Sequence, residues 1–283
     1  QTVPEPCKVK KQTNFRHAHD LGQNFISDEA LLQKLVGLAC VTKEDGVLEV
    51  GSGMGDLSYC LAKAAKQLIT VEVDERLVPF IRLKLEKEEN VQLICADALR
   101  LDMDALVEPI APLRIVANLP YYLTTPLMEK FLSLKTPVRS ISVMVQKEAA
   151  LRLTARPRET GWGPLAILAQ ITTEPETKLS VPRTCFTPPP KVDSAFVHLP
   201  TRAEPLIKEQ DRPAFLRVVR ASFSNRRKTL INNLMPFFGL SRPQAESLIE
   251  GLHFSPTVRA EEMDIADFDA VRRALIALDR GLL

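Results

Sequence analysis

The sequence predicts an α/β domain with a mostly parallel sheet and an antiparallel edge, followed by a small all-helical domain. Strand patterns alternate with amphipathic helical patterns through the first half of the chain. A glycine-rich turn joins the first of these strands to the helix after it. From residue 212 onward the apolar residues recur only at helical spacing. We place the boundary in a polar stretch, which gives domains 1–204 and 205–283.

Composition sets limits on the class of protein. The chain has 283 residues, of which 45% are hydrophobic and 25% charged, as expected for a globular protein of one or two domains. The net charge of +2 is too small to indicate a polyanionic partner, so any basic patch must be identified locally in the sequence. Five scattered cysteines without a Cys-x-x-Cys pair predict a reducing compartment and no metal site. No apolar run approaches the ~20 residues of a membrane span. We expect the protein to be cytoplasmic and to act as a monomer.

The first 20 residues are basic. They carry four lysine or arginine side chains and no acid between positions 8 and 19. This segment is either a solvated tail or an arm that contacts phosphates. A helical pattern follows from Leu31, and Ser27 is the expected N-cap.

The glycine-rich turn follows a predicted strand at 47–50 and contains Gly51, Gly53 and Gly55. Glycine permits a sharp turn and a close approach of the backbone to a ligand. The spacing is Gly-x-Gly-x-Gly, whereas the pyrophosphate-binding fingerprint is Gly-x-Gly-x-x-Gly. S-adenosylmethionine (SAM), which has no phosphate, is the usual occupant of this variant. An ordinary glycine turn remains the alternative.

Acidic residues lie at the ends of the next two predicted strands. Glu72 lies about 20 residues after the glycines, where a carboxylate can accept the hydroxyls of a ribose. Asp97 follows the strand at 91–95, where it can accept from an adenine amino group. Together they suit an adenosine cofactor, although each alone could be a solvated carboxylate.

The fourth predicted strand, at 113–117, runs into Asn118-Leu119-Pro120-Tyr121. The side-chain carbonyl of Asn118 and the backbone carbonyl of Leu119 can both accept from one exocyclic amino group. Pro120 stiffens the turn, and the Tyr121 ring can stack on a planar base. An aryl amine held by two acceptors becomes a better nucleophile. The alternative is a proline turn between strand and helix.

The remaining elements complete both predicted domains. Thr124 or Thr125 is expected to cap a helix with Pro126 in its first position, and a strand follows at 139–145. We predict a helix at 165–171, antiparallel edge strands at 177–181 and 194–199, and C-terminal helices at 215–223, 228–237, 242–251 and 266–278.

Five segments in this order resemble a known family. They are Gly22-Gln23-Asn24-Phe25, Glu49-Val50-Gly51-Ser52-Gly53-Met54-Gly55, Asn118-Leu119-Pro120-Tyr121, Phe186-Thr187-Pro188-Pro189-Pro190-Lys191-Val192-Asp193-Ser194 and Phe223-Ser224-Asn225-Arg226-Arg227-Lys228-Thr229. The chain thereby resembles the small-subunit ribosomal RNA adenine dimethyltransferases, the KsgA/RsmA family, from about residue 15 to its end. The resemblance implies a Rossmann-like SAM-dependent methyltransferase domain. It also implies transfer of two methyl groups to N6 of each of two adjacent adenosines near the 3′ end of small-subunit ribosomal RNA, within the small subunit or its precursor.

The resemblance assigns roles to individual residues. Those implied for the cofactor are Asn24 and Ile26 as a lid, Gly51, Glu72, Asp97 and Asn118. Those implied for the acceptor adenine are Asn118, Leu119, Pro120 and Tyr121, with Phe186 completing a sandwich around the base. The sequence departs from the family at Ser52, where proline is frequent, and at Tyr122 and Leu123, where asparagine and isoleucine or valine are common.

A cationic cluster lies in the predicted helical domain. It comprises Arg217, Arg220, Arg226, Arg227 and Lys228, with no acid among them. On one helix Arg217, Arg220 and Arg227 would share a face. Beside a base-modifying site we favour RNA phosphate binding over a solvated helix face.

Two other functions stay open. One is a different methyltransferase on the same scaffold, acting on DNA adenine or a protein amide, although the helical domain and the proline-rich segment argue against it. The other is a non-catalytic assembly or transcription factor. The intact Asn118 and Tyr121 favour catalysis over that role.

Overall fold

The structure is a computed structural model that describes residues 24–278, so the basic arm expected before residue 20 lies outside it. Its strands are β1 (Gly46–Val50), β2 (Gln67–Glu72), β3 (Val91–Cys95), β4 (Leu113–Asn118), β5 (Val138–Gln146), β6 (Glu176–Val181) and β7 (Ser194–Pro200). Its helices are α1 (Glu29–Leu38), α2 (Asp56–Ala64), α3 (Val78–Lys84), α4 (Met103–Val107), α5 (Thr124–Leu132), α6 (Lys147–Thr154), α7 (Pro164–Thr172), α8 (Arg212–Ser222), α9 (Leu230–Phe238), α10 (Arg242–Gly251) and α11 (Ile265–Leu278).

The seven strands form one sheet in the order β3-β2-β1-β4-β5-β7-β6. The first five are parallel to their neighbours, and β7 runs antiparallel to both β5 and β6. The predicted sheet, mostly parallel with an antiparallel edge, is therefore confirmed. Because β1 to β4 are parallel neighbours, their carboxyl ends meet at one edge of the sheet.

The chain divides into two compact units. The first runs to Ala150 and resumes over Pro175–Thr201, and it holds the sheet. The second joins Leu151–Glu174 to the residues from Arg202 onward, and its described elements are helical. The segment 151–174, which the sequence assigned to the first domain, thus groups with the second. One tie within that unit is a 2.9 Å hydrogen bond from Trp162 Nε1 to the carbonyl of Met263.

Among residues 24–278, no helix combines the length and the apolar character needed to cross a membrane.

Two predicted helix starts differ from the structure. The N-cap of α1 is Asp28, whose side chain accepts from the backbone N–H groups of Ala30 and Leu31, and Ser27 has no such role. The α5 helix begins at Thr124, so Pro126 occupies its third position. In both cases several residues nearby could start the helix, and the backbone angles of the incoming chain decide between them.

A buried carboxylate ties together the amino ends of three central strands. Asp45, directly before β1, is fully buried. Its Oδ2 accepts from Arg114 Nε and from the Thr42 backbone N–H, both at 2.9 Å, and its Oδ1 accepts from Arg139 Nη1 at 2.9 Å. Burial alone would raise the pKa of Asp45, but hydrogen bonds from Arg114 and Thr42 hold it below its ordinary value of 3.8. The ionised carboxylate therefore stabilises the fold.

We expect Asp45→Asn to lower the free energy of unfolding at neutral pH by about 3 kcal/mol, because it leaves Arg114 without its counter-ion. Since the folded pKa of Asp45 is depressed, this contribution is present above 3.8 and is lost as the pH falls through the folded value. The difference between the two proteins in urea unfolding should therefore shrink in acid.

The control is Glu246→Gln, which removes an exposed ion pair with Arg242 at 2.8 Å. It should change the free energy of unfolding by no more than about 0.5 kcal/mol. Equal effects of the two substitutions would contradict the role assigned to Asp45.

Candidate active site

A cavity opens at the edge where the parallel strands end. It is lined by nine of the residues singled out from the sequence: Asn24, Ile26, Gly51, Glu72, Asp97, Asn118, Leu119, Pro120 and Tyr121. The glycine turn and the asparagine turn therefore lie at the same end of the sheet.

The charged side chains of the cavity wall are all acidic. Asp56, Glu72 and Asp97 line the cavity, and among the described residues no lysine, arginine or histidine does. Asp56 is paired with Lys84 and Asp97 lies 3.4 Å from Arg100, but neither cation belongs to the wall, so a phosphate group would find no cation among the lining side chains. The lining thus suits a ligand that carries positive charge and no phosphate.

The glycine turn has the backbone conformation that its sequence requires. Gly51 and Gly53 have φ of +83° and +57°, in the left-handed region that glycine adopts without strain. A Cβ on Gly53 would lie 2.8 Å from the Phe25 ring. Glycine at this position therefore allows the Phe25 ring to lie directly against the turn.

Glu72 holds the turn from the side of β2. Its Oε2 accepts from the Gly53 N–H at 2.9 Å, and its Oε1 accepts from the N–H groups of Val73 and Asp74 at 3.0 and 2.9 Å. A carboxylate has about four acceptor sites, so about one is left for a ligand hydroxyl. Accepting both hydroxyls of a ribose, as the sequence suggested, requires one backbone donor to leave. Burial raises the pKa of Glu72, and the three backbone N–H groups only partly offset it.

Asp97 is the more open of the two predicted cofactor carboxylates. Its Oδ1 accepts from the Leu99 N–H at 2.9 Å, and Arg100 Nε lies 3.4 Å from its Oδ2. The side chain is 40% exposed, so a ligand in the cavity can reach it.

Asn118, the last residue of β4, has a defined side-chain orientation. Its Nδ2 donates to the backbone carbonyl of Asn24 at 3.0 Å. A carbonyl only accepts, so the amide nitrogen must face Asn24, and Oδ1 is the atom left for a donor in the cavity. The Leu119 N–H donates to the Met144 carbonyl at 3.1 Å, which fixes the start of the turn on β5.

Tyr121 is held by its hydroxyl. The oxygen lies 2.7 Å from Ser194 Oγ at the start of β7, and Ser194 is fully buried. Burial, together with the nearby charge of Asp193, raises the pKa of Tyr121. The phenol therefore stays protonated at neutral pH and offers the cavity a fixed ring.

Of the residues predicted to contact the cofactor or the acceptor adenine, Phe186 is the one that does not line the cavity. It is 2% exposed and belongs to the apolar core cluster that also contains Ile26 and Phe196. The next residue, Thr187, exchanges two backbone hydrogen bonds with Phe25, at 3.0 and 2.8 Å. The structure thus places Phe186 behind the cavity, in the cluster that supplies part of its wall.

The sequence profile of the ribosomal RNA adenine dimethylases matches residues 14–264. The chain belongs to this family. Proteins named ribosomal RNA small subunit methyltransferase A are similar along nearly the whole chain. The one from Geobacillus thermodenitrificans is 40% identical and covers 98% of both sequences. One from Listeria monocytogenes is 41% identical and covers 94% of this chain and 93% of its own.

Solved structures of related enzymes share the fold. The 23S rRNA methyltransferase ErmE superposes with a TM-score of 0.68 at 25% identity, over 89% of this chain and 99% of its own. A dimethyladenosine transferase from Plasmodium falciparum gives 0.70 at 24% identity, over 87% of this chain and 95% of its own.

In this member of the family, further residues that the sequence did not single out for the site line the cavity. They include Ser52, Met54, Val73, Leu99 and Tyr122. Val73, Leu99 and Tyr122 are 51%, 36% and 57% exposed, which is high for large apolar or aromatic side chains. Each lies one or two residues after a predicted site residue, and that proximity was the only signal available in the sequence.

The five cations predicted to bind RNA are all exposed, and none forms an ion pair within residues 24–278. Arg217 and Arg220 lie on α8, but that helix ends at Ser222. Arg227 lies in the turn before α9, so the prediction that it shares a helix face with Arg217 is wrong. Arg226 Nη2 donates to the Trp162 carbonyl at 3.3 Å, and the Arg217 guanidinium lies 5.5 Å from the centre of the Phe238 ring.

The contact between Tyr121 and Ser194 can be tested by stability alone. We expect Tyr121→Phe and Ser194→Ala each to lower the free energy of unfolding by about 1 kcal/mol, because each removes one hydroxyl group and leaves the other without its hydrogen-bond partner. The double variant should lose less than the sum of the two, since both remove the same bond.

Tyr59→Phe is the control, because Tyr59 is an exposed tyrosine on α2. It should be neutral within about 0.5 kcal/mol in the same urea titration. Strict additivity of the Tyr121 and Ser194 effects would show that the two hydroxyls are not coupled.

Proposed function

We propose that this protein uses SAM to dimethylate N6 of two adjacent adenosines near the 3′ end of small-subunit ribosomal RNA. It would act as a monomer on the small subunit or its precursor, during ribosome biogenesis. Family membership and the relatives named ribosomal RNA small subunit methyltransferase A support the substrate class. The observation that carries the proposal is the position of Asn118, whose Oδ1 is left for an amine at the same sheet edge as the glycine turn.

The cavity suits SAM by its charge. Bound SAM would supply an electrophilic methyl group on a cationic sulfur, and the charged side chains in the described wall are all carboxylates. We assign the ribose to Glu72 and the adenine amino group to Asp97. Gly51 would approach the cofactor with its backbone, with Asn24 and Ile26 as the lid.

Asn118 and Leu119 are assigned to the nucleophile. Their carbonyl oxygens would accept the two hydrogens of the adenine N6 amine, which favours a pyramidal nitrogen with a localised lone pair. With its lone pair localised in this way, the amine would be the better nucleophile for the methyl group that SAM would supply, and its surplus proton would pass to water. Catalysis then depends mainly on positioning and needs no strong general base. The protonated Tyr121 is consistent with this.

The acceptor base needs a surface to stack on once it leaves the RNA. We assign this to the Tyr121 ring, which Ser194 holds in place. Phe186 would act on the base only after a change in the core cluster that now buries it. In the present arrangement it supports the wall from behind.

The RNA backbone would be held by the exposed cations of the second unit, namely Arg217, Arg220, Arg226, Arg227 and Lys228. Affinity should therefore depend strongly on salt. A non-catalytic assembly factor could share this surface. It would not need the oriented amide of Asn118, and this favours the enzyme.

The test is mass analysis of adenosines after purified protein and SAM are incubated with unmethylated small subunits. The wild type should yield dimethyladenosine at two positions. Asn118→Ala should lower the rate about 10²–10³-fold, because one of the two acceptors for the amine is lost, while binding to the subunit is kept.

Asn90→Ala is the matched control, since the Asn90 side chain donates to the Ala62 carbonyl at 2.9 Å and does not line the cavity. It should keep wild-type activity. Binding without any methylation by the wild type would favour the assembly factor, and equal loss of binding and activity in Asn118→Ala would contradict this division of roles.

The proposed RNA surface is tested with the double variant Arg227→Gln/Lys228→Gln, which spares Arg226 and its bond to Trp162. Removing two phosphate contacts should weaken binding and reduce the slope of log affinity against log salt by about 2. Filter binding across a salt series measures this. Arg242→Gln, an exposed arginine paired with Glu246, should leave the slope unchanged; a double variant with the wild-type slope would exclude these contacts.

A further inference from the structure

A buried hydrogen-bonded chain lies directly beneath the glycine turn. It consists of Glu49 in β1, Ser52 in the turn, Ser58 in α2 and Thr70 in β2, all between 0% and 5% exposed. Glu49 Oε2 accepts from Ser58 Oγ at 2.5 Å and from Thr70 Oγ1 at 2.6 Å. Thr70 Oγ1 lies 2.5 Å from Ser52 Oγ. The chain thus joins two strands, a helix and the turn.

The direction of these bonds follows from proton counting. Thr70 has one hydroxyl proton and gives it to Glu49. Ser52 must therefore donate to Thr70. The orientation of Ser52 is set by Thr70, and that of Thr70 is set by the carboxylate of Glu49.

Only the last member of the chain reaches the cofactor cavity. Ser52 lines the cavity between Gly51 and Gly53, whereas Glu49, Ser58 and Thr70 do not. The Gly53 N–H is held by Glu72 on one side of the turn. Ser52 provides a second attachment, to Thr70, at a position where the family often has a proline.

We propose that Glu49 and Thr70 are positioning residues for SAM, because they fix Ser52 and with it the glycine turn in the shape that receives the cofactor. This inference rests on the proposed function, since it takes SAM as the ligand. Glu49 and Thr70 act through Ser52 and touch neither the cofactor nor the acceptor base.

The energetics of Glu49 support a role beyond packing. The carboxyl group is fully buried, and its Oε1 has no hydrogen-bond partner within residues 24–278. Burial raises the pKa of Glu49 to about 7, although bonds from Ser58 and Thr70 oppose the shift. An apolar side chain would avoid this desolvation cost. A carboxylate here provides what an apolar residue cannot, namely an acceptor that orients two hydroxyl groups.

The experiment measures the dissociation constant of SAM by calorimetry, without RNA. Thr70→Val keeps the shape of the side chain but removes the hydroxyl, and it should raise the dissociation constant about tenfold, as expected for one lost hydrogen bond. Ser52→Ala should act in the same direction while leaving Glu49 both of its donors. Thr70→Ser restores the hydroxyl and should bind SAM within about twofold of the wild type.

Ser142→Ala is the matched control. Ser142 is a fully buried serine in β5 whose Oγ lies 2.8 Å from His198 Nδ1, and it does not line the cavity. It should be destabilised in thermal unfolding as Thr70→Val is, with no change in SAM affinity. In steady-state assays Thr70→Val should raise KM for SAM and leave kcat nearly unchanged, because Asn118 is untouched.

The outcomes separate this inference from the proposed function. A wild type that binds SAM and a Thr70→Val variant that binds it equally well would overturn the inference alone. So would a Ser142→Ala variant that loses as much affinity as Thr70→Val, since general destabilisation would then be the cause. A wild type that does not bind SAM would overturn both.

Discussion

Four neighbouring parallel strands end at one edge of the sheet, and every role proposed for the cavity depends on that arrangement. The order β3-β2-β1-β4 places Asp97, Glu72, the glycine turn and Asn118 side by side, although they are spread over nearly 70 residues of sequence. A one-residue slip of any strand would move its terminal side chain to the other face of the sheet. Asp45 opposes such slips at the other edge, because it binds Arg114 and Arg139 at the starts of β4 and β5.

The distribution of charge separates two tasks. The described cavity wall carries carboxylates and no cation, which suits a cationic methyl donor and is unfavourable for phosphate. The exposed cations assigned to RNA belong to the second unit. A net charge of only +2 conceals this separation, because 37 lysines and arginines nearly cancel 35 aspartates and glutamates over the whole chain. Local charge, and not the total, therefore indicates what each unit binds.

Much of the fold could be predicted because its signals are local. Apolar runs that are buried on both faces mark the parallel strands, and positive φ at Gly51 and Gly53 explains why the turn needs glycine. The helix starts and the end of α8 before Arg227 differ locally from the prediction, because several nearby residues could begin or end a helix. Tertiary contacts decided the position of Phe186, whose side chain is buried among core residues distant in sequence. The grouping of 151–174 with the second unit likewise depends on contacts that no short pattern contains.

Asn118 shows why the sequence motif alone does not define the site. The tetrapeptide predicts an amide near the acceptor base but not which end of the amide faces it. The bond from Nδ2 to the carbonyl of Asn24 decides this, and it also ties the proposed acceptor for the amine to the segment proposed as the lid. Phe25, the next residue of that segment, contacts Gly53 of the glycine turn and pairs with Thr187. Displacing this segment would therefore disturb the amide proposed to hold the adenine amine as well as the turn proposed to receive the methyl donor. In this arrangement the proposed cofactor side and the proposed acceptor side are coupled through two consecutive residues, Asn24 and Phe25.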